Sequence, residues 1–288
     1  MRLFNHHNIR NKNGFVKCTI AISFYKRIDY LKLLLAALEK QTFKDFEVII
    51  ADDGSDIAVV QEIQRISRNT TSPVTHVWQE KLGFRKNKIL NTAIKTSVSD
   101  YLIFIDGDCI PHTEFIKEHI KYRKKGICLT GRRVNLSRAI TERLTPEIIK
   151  DGYLENIILR LIADSIFGNS SHAEKAFYIK TDILRNFINK KKRGLLGCNF
   201  SIHKKDIFGI NGFDERYEAP SIGEDSDVQY RLELTGVEIK SLNNIAVQYH
   251  LYHELQPRLQ TNLDLFEQVK SSKEAFTHYG IKEDKKNV

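Results

Sequence analysis

Apolar residues along this chain fall into short β-branched runs, separated by stretches with helical spacing. Residues 16–23 (VKCTIAIS) read as a strand, after which Asp29 caps a helix carrying Leu31, Leu34, Leu35 and Leu38 on one face. Residues 46–51 (FEVIIA) form a second buried strand that runs straight into Asp52-Asp53-Gly54-Ser55. A helix over 59–68, a strand over 74–79 and a helix over 86–96 follow. Residues 101–105 (YLIFI) make a third apolar strand, ending at Asp106-Gly107-Asp108, and Pro111 opens the next helix. Strands alternating with helices of this length imply βαβ units and a mainly parallel sheet. Ligands of such sheets gather beyond the carboxyl ends of the strands, and both acidic clusters fall there.

From 136 to 192 the strand rhythm stops, and the stretch reads as helices and loops with a basic end. Residues 197–203 (GCNFSIH) resume a strand, followed by a short helix over 204–210 and a turn at Asn211-Gly212-Phe213-Asp214. A helix over 226–235, a short strand over 237–240 and, after Pro257, a C-terminal helix complete the pattern. There is no internal repeat.

Composition adds limits. Of 288 residues, 41% are hydrophobic, which is ordinary for a globular chain. Lysine and arginine outnumber the acids by 45 to 36, and the excess clusters at 121–125 (KYRKK), Arg132-Arg133 and 190–193 (KKKR). Such patches attract nucleic acid, anionic lipid or diphosphate groups, or simply remain solvated. Cys18, Cys109, Cys128 and Cys198 are scattered and form no Cys-x-x-Cys pair, which suggests neither a disulfide framework nor a thiolate zinc site and points to a reducing cytosol. No apolar run approaches the roughly 18 to 20 residues of a membrane span, and the polar N-terminus lacks a signal-peptide core. The expectation is a cytoplasmic protein, held at most on the inner face of a membrane.

The acidic turns carry the candidate chemistry. Asp52-Asp53-Gly54-Ser55 alone is explained equally well as a tight turn. In Asp106-Gly107-Asp108 the carboxylates follow an apolar strand directly and must emerge at the sheet edge, since unpaired burial is costly. Two hard oxygen ligands suit Mg²⁺ or Mn²⁺ shared with substrate phosphates. A third run, Gly223-Glu224-Asp225-Ser226-Asp227, leads into a helix. Capping explains Ser226 and Asp227, whereas a carboxylate facing a metal-bound diphosphate acts as general base toward an incoming hydroxyl. His250 follows 25 residues beyond Asp225 in what reads as a polar loop, with His253 close behind, and supplies a third metal ligand.

Together these residues resemble glycosyltransferase family 2 and its GT-A fold. Ser23-Phe24-Tyr25-Lys26-Arg27 is similar to the family's first-strand loop, Asp52-Asp53-Gly54-Ser55 to its nucleotide-binding turn and Asp106-Gly107-Asp108 to its DxD motif. Gly83-Phe84-Arg85 with Asn91 resembles the segment approaching the nucleotide. Gly197-Cys198-Asn199-Phe200-Ser201, Asn211-Gly212-Phe213-Asp214-Glu215 and the third acidic run resemble the galactosyltransferase-like half of bacterial chondroitin polymerases.

The resemblance implies an α/β fold with a Rossmann-like, mainly parallel sheet flanked by helices and carrying a helical insertion. It implies one domain over 1–288, divided into a nucleotide-binding half (16–135), the insertion (136–193), an acceptor and catalytic half (194–256) and a C-terminal helix and tail (257–288). By the same resemblance Ser23 and Tyr25 border the base, Asp53 bonds uracil, and Arg27, Arg85 and Gly107 complete the nucleotide site. Asp106 meets ribose or metal, and Asp108 and His250 hold Mn²⁺ or Mg²⁺, with His253 as an alternative ligand or an acceptor contact. Asn199 and Glu224 hold the acceptor, and Asp225 is the base of an inverting transfer. The implied partners are a UDP-sugar donor, a glycan or lipid-linked glycan acceptor, and peripheral membrane contact, with no nucleic acid.

One departure is plain. The family's tryptophan-glycine pair before the third acidic run is replaced by Glu218-Ala219-Pro220-Ser221-Ile222, and Trp78 is the sole tryptophan. Two rivals fit less well. A sugar nucleotidyltransferase needs a glycine-rich loop after the first strand, where this chain has Ser23-Phe24-Tyr25-Lys26-Arg27. A non-catalytic basic module for glycan or nucleic acid explains the net charge of +9 but not three acidic clusters at sheet ends.

Overall fold

The computed structural model describes residues 2–5, 16–219, 224–254 and 259–282; Gly223, Pro257 and the Pro220-Ser221-Ile222 replacement lie outside the described residues. The strands are β1 (Arg2–Asn5), β2 (Cys18–Phe24), β3 (Phe46–Asp52), β4 (Val74–Trp78), β5 (Tyr101–Asp106), β6 (Cys109–Pro111), β7 (Ile127–Thr130), β8 (Arg132–Asn135), β9 (Asn199–His203), β10 (Glu238–Ser241) and β11 (Val247–His250). Eight of them form a central sheet in the order β1-β4-β3-β2-β5-β9-β7-β10, and β6-β11-β8 form a second sheet. β4, β3, β2 and β5 run parallel to one another, as do β7 and β10, whereas β1 is antiparallel to β4, and β9 to both β5 and β7.

β2, β3 and β5 are buried along nearly their whole length, as expected for parallel strands covered on both faces. Alternate residues feed two cores. Ile20, Ile22, Val48, Ile50, Ile103 and Ile105 meet Leu31, Leu34 and Leu38 of helix Ile28–Glu39. Ala21, Ile49, Ala51, Leu102 and Phe104 meet Ile89, Leu90 and Ile94 of helix Lys86–Thr96. The whole architecture is α/β with a mostly parallel sheet.

Some expected elements are different. Arg27 occupies the N-cap position of helix Ile28–Glu39 without a side-chain capping bond, and Asp29 lies inside the first turn, paired with the Arg27 guanidinium at 2.7 Å. Pro111 closes β6, where an edge strand tolerates its missing N–H, and the following helix begins at Phe115. β6, β7, β8 and β11 have three or four residues each, too short for a period-2 pattern. His250 accordingly ends a strand and does not lie in a loop. The stretch 136–193 is helical: Arg138–Thr141, Pro146–Lys150, Tyr153–Asn156, Ile158–Ile166 and Asp182–Ile188, with a 3₁₀ turn at Ala173–Ala176.

Candidate active site

The carboxyl ends of β2, β3 and β5 meet in a cavity of about 530 Å³ lined in part by Ser23, Tyr25, Arg27, Asp53, Lys86, Gly107 and Asp108. Strand register sets Ser23 beside Asp106, and its hydroxyl donates to Asp106 Oδ1 at 2.5 Å. The N–H of Gly107 donates to the Ser23 carbonyl at 2.8 Å. A Cβ on Gly107 would stand 3.1 Å from that oxygen, so the approach favours glycine.

The two aspartates after β3 take different work. Asp52 is fully buried; its Oδ1 accepts the Ser55 N–H (2.9 Å) and hydroxyl (2.7 Å), and its Oδ2 lies 3.1 Å from His76 Nε2. It builds the turn. Asp53 lines the cavity, held by Gln79 Nε2 (2.7 Å), Lys81 Nζ (3.0 Å) and the Arg85 N–H (3.0 Å). Gly54 between Asp53 and Ser55 has φ +87°, and a Cβ there would stand 2.6 Å from the Lys81 nitrogen, so glycine is required. At the mouth, Tyr25 is 39% exposed, with Lys81 Nζ 3.9 Å from its ring centroid. Arg27 binds Asp29 through two nitrogens and lies over the Tyr30 ring. The Arg85 guanidinium is bonded to the Glu80 carbonyl, so its backbone rather than its side chain serves Asp53.

Beyond the cavity, Asp108 meets both histidines. Asp108 Oδ2 lies 3.5 Å from His250 Nε2 and 3.2 Å from His253 Nε2, and the two nitrogens are 3.2 Å apart. Burial would raise the Asp108 carboxyl, but bonds from His250 and His253 hold it well below the usual range. The same bond raises His253 above an ordinary histidine, against the effect of its burial. His253 Nδ1 faces the Glu254 carbonyl at 2.9 Å, an acceptor that favours a proton on Nδ1, so that in the neutral ring Nε2 is free to ligate. One carboxylate oxygen and two imidazole nitrogens within 4.8 Å of one another fit a divalent cation. Two facing Nε2 atoms can share at most one proton, and a cation satisfies both. Asp106 stands apart from this group.

Asp106 belongs instead to a lysine. Lys86, at the start of its helix, places Nζ 3.0 Å from Asp106 Oδ1 and 2.9 Å from Glu224 Oε1. Burial opposes the ammonium charge, yet Asp106 and Glu224 hold it well above the lysine range. The Glu224 carboxyl is raised by burial, with Lys86 pulling against that. Its Oε2 is buried and has no partner among the described residues. Asp225 is half-buried and accepts the N–H groups of Gly197 (3.2 Å) and Ser226 (2.9 Å).

Two sequence readings fail here. Asp227 does not cap its helix; it is buried against Arg231, whose guanidinium also donates to the Ile210 and Gly212 carbonyls. Asn199 does not reach the cleft. It is wholly buried, its amide donates to the Arg132 (3.1 Å) and Ala246 (3.0 Å) carbonyls, and its Oδ1 faces His119 Nε2 at 3.2 Å. It ties strands together. Lys86 was missed altogether, although its position after the Gly83 turn puts a cation at the same sheet edge as the acids.

Residues 19–202 match the profile described as glycosyl transferase family 2, and residues 184–254 match the N-terminal domain of galactosyltransferase. The first match takes in more than half of the chain, which therefore belongs to glycosyl transferase family 2. Chondroitin synthase of Escherichia coli is 27% identical over 241 residues, covering 81% of this chain and 34% of that protein. Hyaluronan synthase of Pasteurella multocida is 24% identical, covering 89% and 26%. The chain thus spans about a third, or less, of the length of these relatives.

Among solved structures, S. aureus TarS 1–349 in complex with UDP-GlcNAc superposes with a TM-score of 0.58 at 15% identity, over 89% of this chain and 65% of that one. GalNAc-T7 with UDP, GalNAc and Mn²⁺ gives 0.59 at 13% identity, over 89% and 48%. The fold is GT-A. No helix among the described residues is long and apolar enough to cross a membrane.

Proposed function

We propose that this chain transfers a sugar from a UDP-sugar to a hydroxyl of an acceptor glycan, with inversion at the anomeric carbon. The observation that carries the reading is the convergence, at the carboxyl ends of three parallel strands, of the Asp53 cup, the Ser23–Asp106 contact and the Asp108–His250–His253 group. Relatives solved with UDP-GlcNAc, and with UDP and Mn²⁺, support a nucleotide in the cup and a divalent ion at the histidines. Ser23, Tyr25, Arg27, Asp53, Arg85 and Gly107 bind the nucleotide. Asp108, His250 and His253 hold Mn²⁺ or Mg²⁺, which when bound neutralises the charge developing on the departing diphosphate. Asp225 takes the proton of the attacking hydroxyl, and Glu224, fixed at one oxygen by Lys86, offers the other to a sugar hydroxyl. Holding both substrates in one cleft supplies the proximity contribution. The acceptor is a glycan or a lipid-linked glycan, met at the inner face of a membrane.

The test is UDP release from a panel of UDP-sugars with Mn²⁺, first alone and then with candidate acceptors. Asp225→Asn keeps the size of the side chain and one acceptor oxygen but removes its basicity. Turnover should fall by roughly 10²- to 10⁴-fold with donor affinity unchanged. Retained anomeric configuration in the product NMR spectrum, or near-normal turnover of Asp225→Asn, overturns the assignment.

A further inference from the structure

Helix Asp182–Ile188 is mounted in the opposite sense to a helix that faces water. Its arginine is the buried residue: Arg185, 4% exposed, donates to both carboxylate oxygens of Glu118 (2.7 and 3.1 Å) and to the hydroxyls of Tyr122 and Tyr178. Its apolar residues are the exposed ones, with Ile183 at 79%, Leu184 at 51% and Phe187 at 70%.

Helix Ile158–Ile166 shows the same trait. Leu161 is wholly buried, whereas Leu159, Ala163, Ile166 and the adjoining Phe167 recur at helical spacing on the outside. Leu159, Ile166 and Phe167 are 82%, 77% and 81% exposed. Among the described residues, every large apolar side chain more than two-thirds exposed falls between 159 and 187. Single exposed apolar residues are ordinary; a concentration of them marks an interaction surface.

Charge identifies the occupant. Just beyond Phe187 come Lys190, Lys191, Lys192 and Arg193; the three lysines are exposed, and Lys190 Nζ lies 5.8 Å from the Phe187 ring. Lys180 is exposed just before the helix. Of the nearby acids, Asp182 lies 3.6 Å from Lys121 and Glu174 lies 3.1 Å from Lys175, while Asp164 accepts the Ser170 hydroxyl and keeps its charge. A second copy of the chain would bring the same positive charge against itself. Apolar side chains flanked by ammonium groups fit an anionic bilayer, the former entering the acyl boundary and the latter the headgroups.

We propose that helices Ile158–Ile166 and Asp182–Ile188, with the basic run 190–193, form a docking face for an anionic lipid surface. The chain segment between 136 and 193 also supplies Arg138, over the Tyr252 ring, and Thr141, whose hydroxyl accepts the Tyr252 N–H. The docking segment is therefore joined to the residues beside His253. This deepens the reading of a membrane-borne acceptor, and its test uses no sugar nucleotide, so either idea can fail without the other.

The experiment is flotation of the full chain with vesicles of phosphatidylcholine alone and with vesicles one-third phosphatidylglycerol. Binding is expected only to the second. Replacing the four basic residues at 190–193 by glutamine should weaken it about fivefold per residue, together more than about 100-fold. Ile183→Ser with Phe187→Ser, and separately Leu159→Ser with Phe167→Ser, should each remove at least about tenfold, including the part that survives high salt. Ile57→Ser, an exposed apolar residue elsewhere, should change nothing. Apart from the part-buried Arg193, these side chains are exposed, so thermal midpoints of the serine variants should hold. Absence of wild-type flotation overturns the proposal, as does equal flotation of every variant. A wild-type dimer that the serine variants convert to monomer also overturns it, because a second copy would then cover the face.

Discussion

Lys86→Met separates a cleft held together by an ion triad from one that merely contains charges. Lys86 Nζ bridges Asp106 and Glu224 at 3.0 and 2.9 Å, with the three side chains 17%, 26% and 12% exposed. Methionine keeps the straight stem and deletes the ammonium, leaving two partly buried carboxylates without their shared cation. Removing one partner of a buried pair costs about 3–5 kcal/mol, and the residual exposure of Asp106 places this case at or below the lower end, about 2–3 kcal/mol.

The cost should depend on pH in a definite direction. Burial already raises the Glu224 carboxyl, and loss of Lys86 raises it further. A group whose folded pKa lies above its unfolded value favours the fold below the unfolded pKa and loses that contribution as pH rises. The variant should therefore sit closer to wild type at about pH 5 than at about pH 7.5. Denaturant unfolding at both pH values measures this. Glu224→Gln in the Lys86→Met background should restore much of the loss, giving a coupling of about 1.5–3 kcal/mol in a double-mutant cycle. Sugar-transfer turnover should fall with Lys86→Met under conditions where the variant is still folded. Additive single mutants, or an unfolding midpoint that does not move, would refute the triad.

Two further predictions follow from the same geometry. Asp108→Ala, His250→Ala and His253→Ala should each weaken Mn²⁺ binding, read by electron paramagnetic resonance, by about 10- to 100-fold. Asp106→Asn should weaken it far less, and equal losses would return Asp106 to the ligand set. His119 is pushed by burial from 6.5 to about 3 and is therefore neutral in the folded chain. Its contribution to stability is whole above about pH 6.5, falls by about 2 kcal/mol by about pH 5, and continues to fall toward pH 3. His119→Gln should flatten that slope, and an unchanged slope would show that other groups set it.

How much of the fold the sequence carries depends on whether the determining residues are local or remote. The βαβ half was legible because β2, β3 and β5 are long, mostly apolar and followed by acids, so their ends announce themselves. The division of labour inside Asp52-Asp53 was not, because which aspartate turns inward depends on His76 and Ser55 from other positions in the fold. Asn199 was misassigned for a similar reason: a polar residue beginning a strand looks available until its partners Arg132, Ala246 and His119 are known. Lys86 carried no local signal for its role, since both acids it joins are remote in sequence. The helices of the 136–193 segment posed the opposite difficulty. Helix Ile158–Ile166 is apolar on two sides, and periodicity does not say which side the protein covers.

The metal-ligand candidates show how a short, weakly patterned sheet can matter more to chemistry than the long one. Asp106-Gly107-Asp108 leaves β5 and passes directly into β6, whose Cys109 is paired with His250 of antiparallel β11. The Leu251 N–H then donates to the Asp108 carbonyl at 2.9 Å, locking the strand end beside the acid. Register therefore delivers the imidazole, and His253 completes the set from the residues just after the strand. A slip of one residue would turn His250 to the opposite face, because side chains alternate along a strand. Three strands of three or four residues suffice for this because β11 is held from both sides, by β6 and by β8. The Gln248 side chain adds a bond to the Cys198 carbonyl at 2.9 Å. A histidine that reads as loop in isolation is thereby fixed against an aspartate 142 positions earlier.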